Sequence, residues 1–516
     1  MIQVYLNKCS KSKFIIAVYF VTIFCTFSVS GAEPKITDNS ISDFVKAQLT
    51  RDEAVNADRI GVAARQGIVS LTGTVDNLLA RERAVRIAGT IKGVRAVVNN
   101  IEVVPPMSYK DWQIKDDVQD ALLTDPVAKF LNVNVSVDKG KVILGGTVKS
   151  WQEQQLCDEI VKGVKGVRDI SNMIKVLSPE KRSNDDIKNE IEYMLGWNVF
   201  LQNDPIDVAV DNGKVFLSGT VGSASEKATA TILSHVTGVR EVDNSELKVE
   251  KWTRDRFIRK QYPVESNREV EKAVMNAFRY DPRVSRFKIT AEMIPENDAL
   301  RLAGTVDNMW AKYAAVQDAH NTVGVSSVED RIEVRPNETV SNKKIENDVK
   351  KAFKRDPFLN VYVIDVRAAD GVVELSGTVD NDFEKSEARG IASGINGVIS
   401  VSNNLRVRSP NVFVFDPNVD ANYLHFYDWE PKRSAFEKKD DREILRDIKN
   451  QLFWNPFLNE DHINVKVYRG IATLTGDVYS GAESDAAARG AYIGGAVEVI
   501  NKLHILHEIF IGNKKK

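Results

Sequence analysis

Cysteine is nearly absent from this sequence, with three in 516 residues at Cys9, Cys25 and Cys157. The first two fall in a leading segment, and the thiol that remains cannot form an internal disulfide, so packing must hold the fold. Histidine is sparse too, at six residues. Neither sign of charge dominates. Lysine and arginine number 70 against 72 aspartate and glutamate, a formal charge of -2, which leaves no overall basic field to hold nucleic acid by phosphate neutralisation. The apolar run from Phe14 to Phe27 falls short of the ~20 residues needed to cross a bilayer. What is present, 43% apolar and 28% charged residues, describes a globular chain and excludes collagen, bulk disorder and a polytopic membrane protein.

Residues 1–32 read as a secretory signal peptide. Lys8, Lys11 and Lys13 precede the apolar run, and Ser30 and Ala32 stand at the two positions a signal peptidase reads. The apolar character fades without a charged stop, so an uncleaved anchor is the competing reading; Phe24 before Cys25 is too bulky for lipoprotein processing. The expected location is the periplasm. The mature chain then carries 67 basic and 72 acidic residues.

Internal repetition dominates the rest. Six segments share Leu-x-Gly-(Thr or Asp)-Val, with glycines at 73, 146, 219, 304, 377 and 476, separated by 73, 73, 85, 73 and 99 residues. Upstream of each lies an apolar triplet at helical spacing, such as Ile41/Val45/Leu49 and Ile444/Ile448/Leu452. A break follows, often with proline as at Asp125-Pro126 and Asp356-Pro357, then an alternating strand such as Val133 to Val137. A turn of the Asp138 to Gly140 type returns the chain into the Leu-x-Gly strand. Eleven residues past each glycine the position is small: Ala84, Cys157, Ala230, Ala315, Ala388 and Ala487. That pattern places a second helix close on the sheet, ended by Gly93, Gly166, Gly238, Gly324, Gly397 and Gly495. A third strand follows through Asn99, Asn172, Asn244, Asp330, Asn403 and Asn501.

The predicted fold is α+β: six tandem units of helix, strand, strand, helix, strand, each a small mixed three-stranded sheet with both helices on one face. Their expected bounds are 38–104, 110–177, 183–250, 266–335, 341–408 and 440–507, with inserts at 251–265 and 409–439 and a basic tail at 508–516. Units this small have marginal cores, so neighbours are expected to pack on one another.

The pattern Gly-(Lys or Val)-Val-x-Leu-x-Gly-Thr-Val, as in Gly213 to Val221, with the later Gly166-Val167-Arg168, resembles the BON domain of bacterial osmotically inducible and nodulation proteins. Unit four departs at Glu296 to Ala299, where the hairpin glycine is missing, and unit six at Asp477, which replaces threonine. The resemblance implies phospholipid association and a role in envelope or osmotic stress, with no cofactor.

Residues that could carry chemistry are few. The histidines, His235, His320, His425, His462, His504 and His507, are read as sharing no repeat position, and His504 and His507 on one strand point to opposite faces, a poor metal pair. Cys157 stands where five sister units have alanine, which favours a core role over a nucleophile. Gly163 to Gly166 and Gly394 to Gly397 match a Gly-x-x-Gly nucleic-acid clamp, but helix capping explains them more simply.

The inserts are more informative. Residues 251–262 interleave Lys251, Arg254, Arg256, Arg259 and Lys260 with Trp252, Phe257 and Tyr262, against one acid, Asp255. This composition suits an anionic lipid headgroup layer, although the aromatics could equally pack the seam between units three and four. The second insert holds Phe413, Phe415, Tyr423, Phe426, Tyr427, Trp429 and Phe436, which read as a strap against unit five or six, or as a partner surface. Trp197 and Trp454 are weaker lipid-facing candidates, and core positions on the simpler reading. The leading expectation is therefore a non-enzymatic envelope protein whose units meet phospholipid or envelope proteins. The alternative is a periplasmic scaffold or chaperone-like holder using an extended array surface.

Overall fold

The apolar triplets form helices because their fourfold spacing lays one stripe on the sheet, and in every unit they are buried. In the computed structural model, which describes residues 36–177, 182–201, 204–250, 266–294, 299–408, 416, 419 and 439–506, the order helix, strand, strand, helix, strand recurs six times. The first helices are α1 (Asp38–Arg51), α3 (Asp111–Thr124), α5 (Asn184–Gly196), α7 (Asn267–Tyr280), α9 (Asn342–Arg355) and α11 (Asp441–Trp454). The second helices are α2 (Leu78–Gly89), α4 (Trp151–Lys162), α6 (Ala224–Leu233), α8 (Met309–His320), α10 (Asp382–Ser393) and α12 (Gly481–Gly494).

Every second helix starts the same way. Asn77, Ser150, Ser223, Asn308, Asn381 and Ser480 each accept a hydrogen bond from the amide three residues on, a cap that stabilises a helix by about 1 kcal/mol. The Leu-x-Gly strand is central in each sheet. In unit one, Ile68–Val75 pairs antiparallel with Ile60–Arg65 and parallel with Ala96–Val103, and the crossover through α2 supplies the parallel partner. Ala84, Cys157, Ala230, Ala315, Ala388 and Ala487, one on each second helix, are all fully buried.

Two local devices fix the hairpin and the third strand. The Asp111 carboxylate at the start of α3 accepts from the turn amides of Lys139 and Gly140, at 2.8 and 2.9 Å. Asp38 and Asp441 clamp their own turns alike. On the third strand, the Asn172 side chain accepts from the Ile174 amide and donates to the Gln154 carbonyl on α4, tying strand to helix; Asn403 does the same with Leu405 and Lys385.

The glycines expected to end the second helices lie further on. In units one to five the helix stops four or five residues earlier, and Gly93, Gly166, Gly238, Gly324 and Gly397 take φ of 83° to 96° in the turn leading to the third strand. Only Gly495 directly caps its helix. An extra turn separates helix from strand, and the left-handed residue reverses the chain there.

Candidate functional site

Each unit's second helix reaches a neighbour, and in the first half of the chain these contacts close a ring. Glu82 on α2 pairs with Lys162 on α4 at 3.0 Å. Trp151, opening α4, stacks on His235 beyond α6 with ring centroids 4.0 Å apart, while the Gln152 side-chain amide donates to the His235 carbonyl at 2.9 Å. Ala224, opening α6, packs against unit one, where a Cβ on Gly89 would lie 3.9 Å from its own. Unit one thus meets two, two meets three, and three returns to one. In the second half, Trp310, in the first turn of α8, donates to the Gly390 carbonyl of unit five at 3.0 Å, and Gly481 of unit six abuts the Ser326 carbonyl of unit four, so unit four meets both five and six.

The halves meet through two further recurring contacts. In one, an amide in the turn after a second helix donates to the carbonyl ending another unit's first helix: Lys92 to Trp454 at 2.9 Å, Lys165 to Arg355 at 2.8 Å, and Val323 to Trp197 at 2.9 Å. These join units one and six, two and five, three and four. In the other, the loops after first helices meet in like-with-like pairs. Ala54 shares a cluster with Phe358 and Phe383, Phe200 meets Phe457 edge-on at 5.0 Å, and Arg286 donates to the Pro126 carbonyl at 3.2 Å.

Between units two and five lies a cavity of about 110 Å³. Its walls come in matched pairs from the two units, Ala121 with Ala352, Asp125 with Asp356, Ile160 with Ile391 and Val164 with Ile395, and Leu79 and Trp310 line it too. Burial raises the Asp125 and Asp356 carboxyls above the usual range, against the backbone amides that hydrogen-bond to each. Arg355 is tied by its guanidinium to Asp120 and the Thr124 hydroxyl, both at 2.8 Å. Such a volume suits a few waters and falls below the ~300 Å³ of a small-molecule pocket. Among the described residues no group of three or more His, Cys, Asp and Glu could hold a metal ion.

A BON domain model matches the chain six times, over residues 37–105, 110–178, 183–251, 266–336, 341–409 and 440–506. The chain belongs to the BON domain family. It is similar to osmotically-inducible protein Y of Escherichia coli, at 29% identity over 27% of this chain and 72% of that protein. It also resembles the outer membrane lipoprotein DolP of Haemophilus influenzae, at 27% identity over 28% of this chain and 76% of that one. A 21 kDa hemolysin of Actinobacillus pleuropneumoniae matches at 27% identity over 29% of this chain and 77% of its own.

Against the BON framework the sequence candidates separate. Lys251, Trp252, Arg254, Arg256, Phe257, Arg259 and Lys260 lie outside the described residues, as do the signal segment and Phe413, Phe415, Tyr423, Phe426, Tyr427, Trp429 and Phe436. Within the second insert, Val419 is described: it is buried, and its carbonyl accepts from Arg86 at 3.4 Å. That attachment is to the first BON unit, where the strap reading named the fifth or sixth. Trp454 is buried and stacks on Phe44 of unit one at 5.0 Å, and Trp197 packs on the core of unit four, so both serve seams.

The histidines depart from the expected pattern. His235 and His320 do share a repeat position, the twelfth residue counted from the start of α6 and of α8. Burial lowers the pKa of both, that of His320 to about 4, so both stay neutral in the fold. His504 sits across from Asp477 in the parallel ladder, 3.6 Å away, which gives the aspartate of unit six a local partner; His507 lies outside the described residues. Gly163 and Gly394 cap α4 and α10, and a side chain at Gly394 would collide with the Trp310 indole, so these loops are seams and not open clamps.

Cys157 is fully buried, and burial pushes its thiol up to about 12. A thiol-reactive dye should leave the folded mature protein unlabelled over hours and modify it stoichiometrically in denaturant. Rapid labelling of the native protein would contradict this packing.

Proposed function

We propose that this protein is a non-enzymatic component of the bacterial cell envelope whose BON units sit at anionic phospholipid surfaces, in osmotic or envelope stress. Membership of the BON family carries the proposal, supported by relatives named as osmotically inducible and as an outer membrane lipoprotein. The outward sheet face of unit four offers little net attraction: Glu329, Arg331, Glu333 and Arg335 alternate along one strand and pair locally, and Arg301 bonds to Glu329. Membrane contact is therefore assigned to residues 251–262, with five cations against one acid. At about 1 kcal/mol per cation near an anionic surface, a net charge of four supplies roughly 4 kcal/mol, equivalent to a Kd near ~1 mM. Insertion of Trp252 and Phe257 must add to this.

The test is co-sedimentation of residues 33–516 with anionic or zwitterionic liposomes across a salt series. Binding should select anionic lipid and fade with salt. The quadruple variant Arg254→Glu, Arg256→Glu, Arg259→Glu, Lys260→Glu should lose at least about tenfold in affinity. Undiminished binding of the variant removes the segment from the proposal, and no binding by the parent protein removes the lipid. A scaffold role would then rest on the aromatic insert, because the units close on one another and leave no extended array.

A further inference from the structure

We infer that residues 36–250 and 266–506 are mutually specific docking partners, a three-unit assembly seated on a three-unit assembly, and that this contact holds the halves together without the intervening chain. Six contacts cross between the halves, three of each recurring kind, and each of the six units takes part in both kinds. The cross-half contacts bury Phe383, Phe457 and Trp454 to 5% exposure or less.

Charge makes the pairing selective. The second half contributes Arg286 and Arg355; the first answers with the Pro126 carbonyl and Asp120. Lys92 of the first half reaches Glu460 of the second at 3.2 Å, so complementarity runs in both directions. In two copies of the first half, Thr124 would stand where unit five has Arg355, so Asp120 would lose its cation and self-pairing would be disfavoured.

The experiment uses the whole mature chain with a protease site placed inside residues 251–265. After cleavage of the folded protein, both fragments should co-elute at the mass of the intact chain at micromolar concentration, and the circular dichroism spectrum should not change. Two separated fragments would overturn the inference. A second variant, Arg355→Gln with Phe457→Ala, should leave the uncut protein folded by circular dichroism yet raise the dissociation constant of the cut protein at least about a hundredfold. Unchanged association in that folded variant would equally overturn it. Adding labelled second half from another cleaved preparation should produce exchange, whereas labelled first half should not replace the second; replacement would refute the selectivity.

Discussion

Gly146→Ala should cost more than about 4 kcal/mol, while Gly145→Ala, one residue earlier, should change stability by less than about 0.5 kcal/mol. The two glycines share a strand but not an environment. Gly146 has φ +125°, and a Cβ there would be driven into the carbonyl oxygen of Asn132 and come within 3.2 Å of the Val133 Cα on the partner strand. Backbone cannot yield as a side-chain tip does, because Val133 is held in register opposite Gly146 by the hairpin. The alternative conformations of alanine therefore require breaking the hairpin. At Gly145 a Cβ would have no atom within 4 Å. Since the cores of units one and two form one cluster that also includes Trp454 of unit six, the loss should appear as an earlier urea transition of the whole body. Equal midpoints for the two variants would show that the hairpin can relax around the new side chain.

That glycine is also the clearest case of what the sequence makes legible. A close backbone approach demands glycine in every copy, and all six Leu-x-Gly glycines adopt φ between +109° and +150°. The buried small position on each second helix is equally readable, and it gives Cys157 its core role. The seams were not readable. Ala54, Val127, Phe200, Arg283, Phe358 and Phe457 occupy one position in the unit, after the first helix, yet range in size from alanine to phenylalanine and include one cation. Each is fitted to a different partner loop, so repeat averaging discards the information. His235 and His320 were overlooked for a related reason: a position that holds histidine twice and other residues four times reads as unpatterned, although it is the end of the second helix where neighbouring units touch. The inserts, legible only as composition, still carry the functional assignment.

Glu53 should make the protein more stable at pH 5 than at pH 8, and Glu53→Gln should remove that share of the difference. The residue follows α1 and faces unit five, where its carboxylate accepts the Phe383 amide at 3.0 Å. Burial raises its pKa from 4.5 to about 7; the Phe383 amide opposes the rise, and Asp382, Asp52 and Glu384 add to it. Arg83, which lies over the Phe383 ring, is committed to Asp52 at 2.8 Å. A carboxyl whose folded pKa exceeds its unfolded value keeps its proton longer in the fold. Its stabilisation is fully present below pH 4.5 and is lost as the pH rises through 7. A shift from 4.5 to about 7 corresponds to roughly 3 kcal/mol at 1.36 kcal/mol per unit, an upper figure for a group that is not wholly buried. Asp125 and Asp356 act in the same direction, and the buried histidines in the opposite one, below pH 6.5. Subtracting the urea midpoints of Glu53→Gln from those of the parent protein at each pH cancels these and isolates the one carboxyl. A difference that stays flat between pH 5 and 8 would place the proton elsewhere, on the carboxyls lining the cavity between units two and five.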